Sequence, residues 1–271
     1  MRGQTILGTA IPKITDDFPD LTKVGWYGSA YFMTFGGFQS SWGKLYKYFS
    51  LKLWFLVALF IFEVGSLICG VAKDPVTLIV GRAIAGMGGA GVGTGVFTMI
   101  GLSTTPEKRP TLIGYVGAAY GLAAVLGPIV GGALTESVSW RWVWSRIKFH
   151  RTQLICLQCF YINLPIGGVT SVVVIFLFTT NLQPTKASTK EKLLQMDPVG
   201  VILMMSLIIS YILALQYGGQ THAWNNSTVI GLLVGFGLML PAFIAWEIYQ
   251  KERAMIVPRL VRSTAFKFGL L

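Results

Sequence analysis

Charge is what this chain is shortest of. Only 12% of its 271 residues are Asp, Glu, Lys or Arg, against about 25% in an ordinary soluble domain. Acid is scarcer than base, with 11 Asp and Glu facing 22 Lys and Arg, a formal net charge of +11. The basic residues are scattered singly between apolar runs and do not gather on one face, which argues against nucleic acid as the partner. Three cysteines, Cys69, Cys156 and Cys159, give no metal-finger spacing, and the lone Cys156-Leu-Gln-Cys159 has no histidine beside it and no redox-domain context. Both histidines, His150 and His222, fall in loops. No paired acids, metal cluster or Ser/His dyad lies inside an apolar run, so neither enzyme chemistry, a metal nor a cofactor is expected. A cleavable signal peptide is missing as well, which leaves insertion to the apolar runs themselves.

Those runs dominate the chain. It is 53% hydrophobic with a mean hydropathy of +0.62, the balance of an all-α integral membrane protein. The stretch from Gly81 to Gly132 is the centre of it: GRAIAGMGGAGVGTGVFTMIGL, a charged break STTPEKRP, then TLIGYVGAAYGLAAVLGPIVGG. Each half has the roughly twenty apolar residues that cross about 30 Å of hydrocarbon. Glycines recur at small-residue spacing, Gly86, Gly89 and Gly93 in the first half and Gly114, Gly117, Gly121, Gly127 and Gly131 in the second. In lipid, such residues let backbones approach closely and supply the packing that hydrophobicity cannot. The expectation is a glycine-lined pair of helices that pack tightly or slide, with Pro128 bending the second. Arg82, costly in lipid, should face a partner or a wet cavity. The run Gly86-Met-Gly88-Gly89-Ala90-Gly91 fits the dinucleotide pattern G-x-G-x-x-G, but no strand precedes it and no acid follows about twenty residues on.

Taken in order, the spans expected are about 26–42, 53–71, 78–102, 112–134, 160–179, 199–217 and 229–248. Residues before Lys13 read as the back half of an earlier helix, and Phe266 to Leu271 as the first turn of a later one. Lysines and arginines fall in alternate loops, at Lys44, Lys47 and Lys52, at Lys108 and Arg109, at Lys186, Lys190 and Lys192, and from Lys251 to Lys267. The positive-inside rule makes those loops cytoplasmic. Opposite loops hold Asp16, Asp17, Asp20, Asp74 and Glu136, and the overlapping glycosylation sequons of Asn225 and Asn226, which need a non-cytoplasmic face.

Four stretches carry a family resemblance. Gly43-Lys44-Leu45-Tyr46-Lys47 through Lys52 resembles the G-x-L-x-D-R-x-G loop, Arg82 to Gly88 the fourth-helix R-x-x-x-G-x-G, and Gly117, Gly121, Gly127, Pro128, Gly131 and Gly132 the fifth-helix antiporter motif. Ser139-Trp-Arg-Trp142 joined to Phe160-Tyr-Ile-Asn163-Leu-Pro-Ile-Gly-Gly168 resembles the lead-in to a sixth helix. The chain is similar to the major facilitator superfamily, and within it to the fungal fourteen-helix drug:proton antiporters. Some positions depart from that pattern. Lys47 and Tyr48 stand where the family has Asp and Arg, and Arg2-Gly3-Gln4-Thr5-Ile6 where relatives have Leu-Asp-x-Thr-Ile. Relatives also run directly from SWRW into CFYINLP, so residues 143–158 read as translated intron. They begin with Val (codons GT) and end with Gln (one codon CAG); a genuine lineage-specific loop is the alternative, and the transcript decides.

The resemblance implies this organisation: 1–180, a six-helix transporter half; 181–198, a cytoplasmic linker; 199–248, two extra helices; 249–271, a cytoplasmic loop and the start of a ninth helix, the second half being absent. It implies proton-coupled efflux of drugs, toxins or secondary metabolites by alternating access, from a monomer in the plasma or vacuolar membrane, with lipid, protons and a small organic substrate as partners. A facilitator-type uptake carrier or a non-transporting sensor of the same fold is the alternative, and the chain as written could be inactive alone. Arg82 and Glu63 are the candidates for proton coupling, Arg82 acting by biasing a nearby acid or a helix carbonyl because a guanidinium keeps its proton. Trp26, Tyr27, Tyr31, Gln39, Tyr120 and Asn163 are the candidates for the substrate cavity, being aromatic and amide groups suited to bulky organic molecules.

Overall fold

The computed structural model describes residues 24–136, 163–178, 191, 195–219, 222–250 and 253–255. The expected partial helices at both ends, residues 143–158, Cys156 and Cys159, and most of the 181–198 linker lie outside them. The described residues form seven helices: α1 Val24–Tyr48, α2 Leu51–Val71, α3 Pro75–Ser103, α4 Arg109–Glu136, α5 Asn163–Leu177, α6 Pro198–Tyr217 and α7 Ser227–Gln250. Every expected span that falls on described residues is one of these. By length and composition α2, α3, α6 and α7 suffice to cross a membrane. The other long helices, α1 and α4, are diluted by glycine and tyrosine. Large apolar side chains stand exposed along α4, α5 and α7, among them Leu122, Val125, Val172, Phe176, Leu238 and Ile248, a surface suited to lipid and costly in water.

Helix boundaries follow local chemistry. Proline opens α3, where its missing N–H costs nothing, and the Asp74 carboxylate accepts from Thr77 N at 2.8 Å. Asp197 and Pro198 repeat the device at α6, the Asp197 side chain accepting from Gly200 N at 3.0 Å. Here the capping residue has φ 46, the left-handed region that Asp and Asn tolerate best after glycine. The same Oδ1 accepts from Trp246 Nε1 at 2.9 Å and so fastens α7 to the start of α6.

The expected loop after the first described span is corrected by the structure. Gly43, Lys44, Leu45 and Lys47 lie in the last turns of α1, Lys52 lies in the first turn of α2, and only Phe49 and Ser50 connect the two. The helix continues because Trp42, Tyr46 and Tyr48 keep a buried stripe going to its end and no proline or glycine stops it after Gly43. Lys52 Nζ donates to Ile175 O at 2.7 Å and so caps the last turn of α5, while Lys44 Nζ donates to Arg253 O at 2.6 Å, just beyond α7.

Glycine sorts α3 onto its neighbours. A Cβ on Gly88 would strike the α2 backbone at Phe62 and Ala58; one on Gly86 would strike Tyr31 O of α1. Gly91 sits under the Trp42 ring, and Trp42 Nε1 and Tyr46 OH donate to Met87 O at 2.9 Å and Gly91 O at 2.7 Å. Two donors one turn apart on α1 thus meet two carbonyls one turn apart on α3, each carbonyl offering its second lone pair. The glycines of α4 behave differently. Gly114, Gly117 and Gly121 are exposed, with nothing within 4 Å of a Cβ placed on them. The two glycine-rich helices therefore do not pack face to face as the sequence reading paired them: α3 spends its glycines on α1 and α2, whose backbones they admit. Gly127, Pro128, Gly131 and Gly132 continue α4 without a break in the helix.

Candidate functional site

Where α3 has glycine, space is left as well as contact. Gly89 and Gly93, one turn apart, form the floor of a cavity of about 730 Å³ whose walls come from all of α1 to α5, a volume typical of sites for drug-sized molecules. From α1 come Tyr31, Phe32 and Phe35; from α2 Leu59, Phe62 and Glu63; from α3 also Val92, Val96 and Phe97. Ile113, Val116, Gly117 and Tyr120 of α4, and Asn163, Ile166, Gly167 and Thr170 of α5, complete it. Side chains at residues 31 and 35 share a helix face, and the rings of Tyr31 and Phe35 stack at 5.8 Å with 18° between their planes.

One wall is held by the buried cation. Arg82 is only 3% exposed; its Nε donates to Tyr27 O at 2.9 Å and its guanidinium lies 4.6 Å from the Tyr31 ring centroid. A planar, delocalised guanidinium lays its face on the ring while its edge N–H reaches the carbonyl, a pairing of shape and donor that a compact ammonium on a flexible stem does not reproduce. Of the two expected roles, an acid neighbour or a helix carbonyl, the carbonyl is the partner seen. Arg82 faces α1, behind the Tyr31 ring that lines the cavity, and holds that ring in place.

The carboxyl in the cavity is Glu63. Its Oε1 lies where a side chain on Gly167 would have to go, so the bare backbone of α5 gives the carboxyl its seat. Its Oε2 is buried and takes no hydrogen bond among the described residues. Asn163, first residue of α5, is buried and donates from Nδ2 to Ser66 Oγ at 3.2 Å, which pins α5 to α2 one turn from Glu63. Thr170 Oγ1 is engaged with Ile166 O at 2.8 Å.

Of the residues singled out by sequence, Tyr31, Tyr120, Asn163, Glu63 and Gly117 meet in this cavity. Trp26, Tyr27 and Gln39 do not line it: Tyr27 is fully buried and supplies its carbonyl to Arg82, and Gln39 is exposed. The motif residues Gly43 to Lys52 stand at the far ends of α1 and α2. Sequence reasoning missed Ser66, Gly167 and Phe62, although Ser66 follows Glu63 at helical spacing and so had to share its face. In the loop between α6 and α7 Asn225 is exposed, whereas Asn226 accepts from Thr228 N at 2.9 Å and caps α7.

A bundle of lipid-facing helices around an apolar cavity narrows the class, and one comparison decides the family. The sequence profile described as Major Facilitator Superfamily matches residues 2–265. The chain belongs to that superfamily. Among curated relatives of this superfamily chain, "Probable efflux pump gsfJ" of Penicillium aethiopicum is 65% identical over 98% of the chain and 45% of its own length. "MFS-type transporter grgE" of Penicillium sp is 60% identical over 97% of the chain and 44% of its own length. "Efflux pump aflT" of Aspergillus parasiticus is 48% identical over 93% of the chain and 46% of its own length. The chain thus spans under half the length of the superfamily relatives it matches.

Proposed function

We propose that the whole protein exports small organic molecules by alternating access and proton antiport, and that this chain supplies one helical half with two linking helices. The observation that carries the reading is the cavity walled by α1 to α5, largely aromatic and aliphatic with one carboxyl, Glu63, on its wall. The names of the relatives, efflux pumps among them, support the direction. Superfamily transporters place substrate at the interface of rocking halves near the bilayer midplane. Glu63 takes the proton-coupling role, since a carboxyl can exchange a proton within the cavity and Arg82 cannot. Alternate basic loops put the α1–α2 and α4 starts on the cytoplasmic side of the plasma membrane, and the protein works as a monomer.

The test uses the full-length protein in liposomes under an imposed pH gradient, with a fluorescent organic compound as cargo. The expected result is uphill cargo movement opposite to the proton flow, stopped by a protonophore, with Glu63→Gln still binding cargo but no longer driven by the gradient. Cargo that merely equilibrates, whatever the gradient, would replace antiport with facilitated passage, and Glu63→Gln with intact uphill movement would take the coupling role from this residue.

A further inference from the structure

Inside an apolar cavity a carboxyl oxygen with no hydrogen-bond donor is costly to keep. Glu63 Oε2 is such an atom, and the surroundings show it is placed and not merely stranded. Gly167 leaves room for Oε1 that any larger residue would remove. Two nearby donors are turned elsewhere, Asn163 Nδ2 to Ser66 Oγ and Thr170 Oγ1 to Ile166 O. Between aliphatic residues such as Val92, Val96 and Ile113, rings reach the cavity from four helices: Tyr31, Phe32 and Phe35, Phe62, Phe97 and Tyr120. Rings on several sides favour a flat conjugated molecule that can lie against one face and meet others edge-on, and the buried carboxyl oxygen, the charged acceptor of the cavity, fixes which edge of that molecule points at α2.

Resting on the export reading above, we infer that Glu63 reads a hydrogen-bond donor on a planar aromatic cargo, so that the favoured class is conjugated ring compounds bearing a free hydroxyl. Methylation of that hydroxyl removes the donor and adds bulk at the carboxyl, and a site built around a hydrogen bond rejects the analogue that lacks it far more strongly than an apolar pocket rejects a methylene. Gly167 is a positioning residue in this scheme, acting through the carboxyl it seats.

The experiment measures equilibrium binding and gradient-driven transport of two probes, 7-hydroxyflavone and 7-methoxyflavone, by the full-length protein. The native protein should bind the hydroxyl compound about tenfold or more tightly than its methyl ether. Glu63→Met should bring the two within about twofold, and Glu63→Gln, which keeps a carbonyl acceptor, should retain most of the preference. Gly167→Ala, which leaves the carboxyl present but displaces it, should lower the preference without removing ring binding. Should the native protein transport both probes yet bind them equally, or Glu63→Met keep the preference, the inference is overturned while the export reading stands. Should it neither bind nor move either probe while still driving the fluorescent compound uphill, the inference falls alone; should it move none of the three, the export reading falls as well.

Discussion

At the scale of single residues, the decisive one is the buried cation. Arg82 was legible in the sequence as a charge too expensive to face lipid, but its partner was not, because a backbone carbonyl has no letter in a sequence. It proves to be Tyr27 O, with the Tyr31 ring as second contact. That geometry separates a charge requirement from a shape requirement. Arg82→Lys keeps the charge but loses the planar group that reaches carbonyl and ring together. It should cost about 1 to 3 kcal/mol, the range for a buried charged hydrogen bond left imperfect, and weaken cargo binding through Tyr31 more than it alters proton dependence. Thermal unfolding in detergent and the pH profile of transport check the two halves of this expectation. A variant as stable as the native protein would show that the charge alone matters. Glu63 was also visible as an acid inside a span, whereas its seat on Gly167 joins residues a hundred positions apart and only the fold brings them together.

At the scale of helices, the existence and approximate ends of the spans were readable from apolar length, and glycine spacing announced close packing. Which helix each glycine admits was not readable, since a bare Cα carries no information about what approaches it. Gly88 touches the backbone of α2, while Gly114 of α4 has nothing within 4 Å of an added Cβ. Two chemically identical changes should therefore diverge. Gly88→Ala forces backbones apart, with an overpacking cost of about 1 to 3 kcal/mol. Gly114→Ala adds a methyl group in open space and removes some unfolded-chain freedom, for a change between zero and a gain of about 1 kcal/mol. Parallel measurement of unfolding midpoints for the two variants decides the matter, and equal losses would mean that α4 packs as closely as α3 does. The hydrogen-bond pair from Trp42 and Tyr46 to α3 makes the same point from the other side, because α1 and α3 can form it only at a separation that glycine permits.

At the scale of the whole molecule, α6 is fastened along a flank of α1 turned away from Tyr31 and Phe35. Tyr31 and Phe35 look into the cavity, while Gly37, on another face of the helix, lies against Met205 of α6; Gly36, one turn on from the cavity residue Phe32, marks the border between the two faces, against Ile208. Neither α6 nor α7 contributes a residue to the cavity wall. At one end Lys44 Nζ reaches Arg253 O just beyond α7, and Asp197 ties α7 to α6, so α6 and α7 are fastened to each other and, as a pair, to α1. Loosening that attachment should then leave cargo recognition alone. A methyl group at Gly37 would meet only the flexible end of Met205, which can turn aside, so alanine is a weak test and a larger residue is needed. Gly37→Leu should drive α6 away and lower the yield of a disulfide engineered between Gly36→Cys and Ile208→Cys, while the affinity for a ring compound bound among α1 to α5 stays within about twofold because sites without shared partners act independently. If cargo affinity instead falls in step with the disulfide yield, α6 and α7 take part in shaping the cavity, and α1 must transmit their position to Tyr31 along its own length.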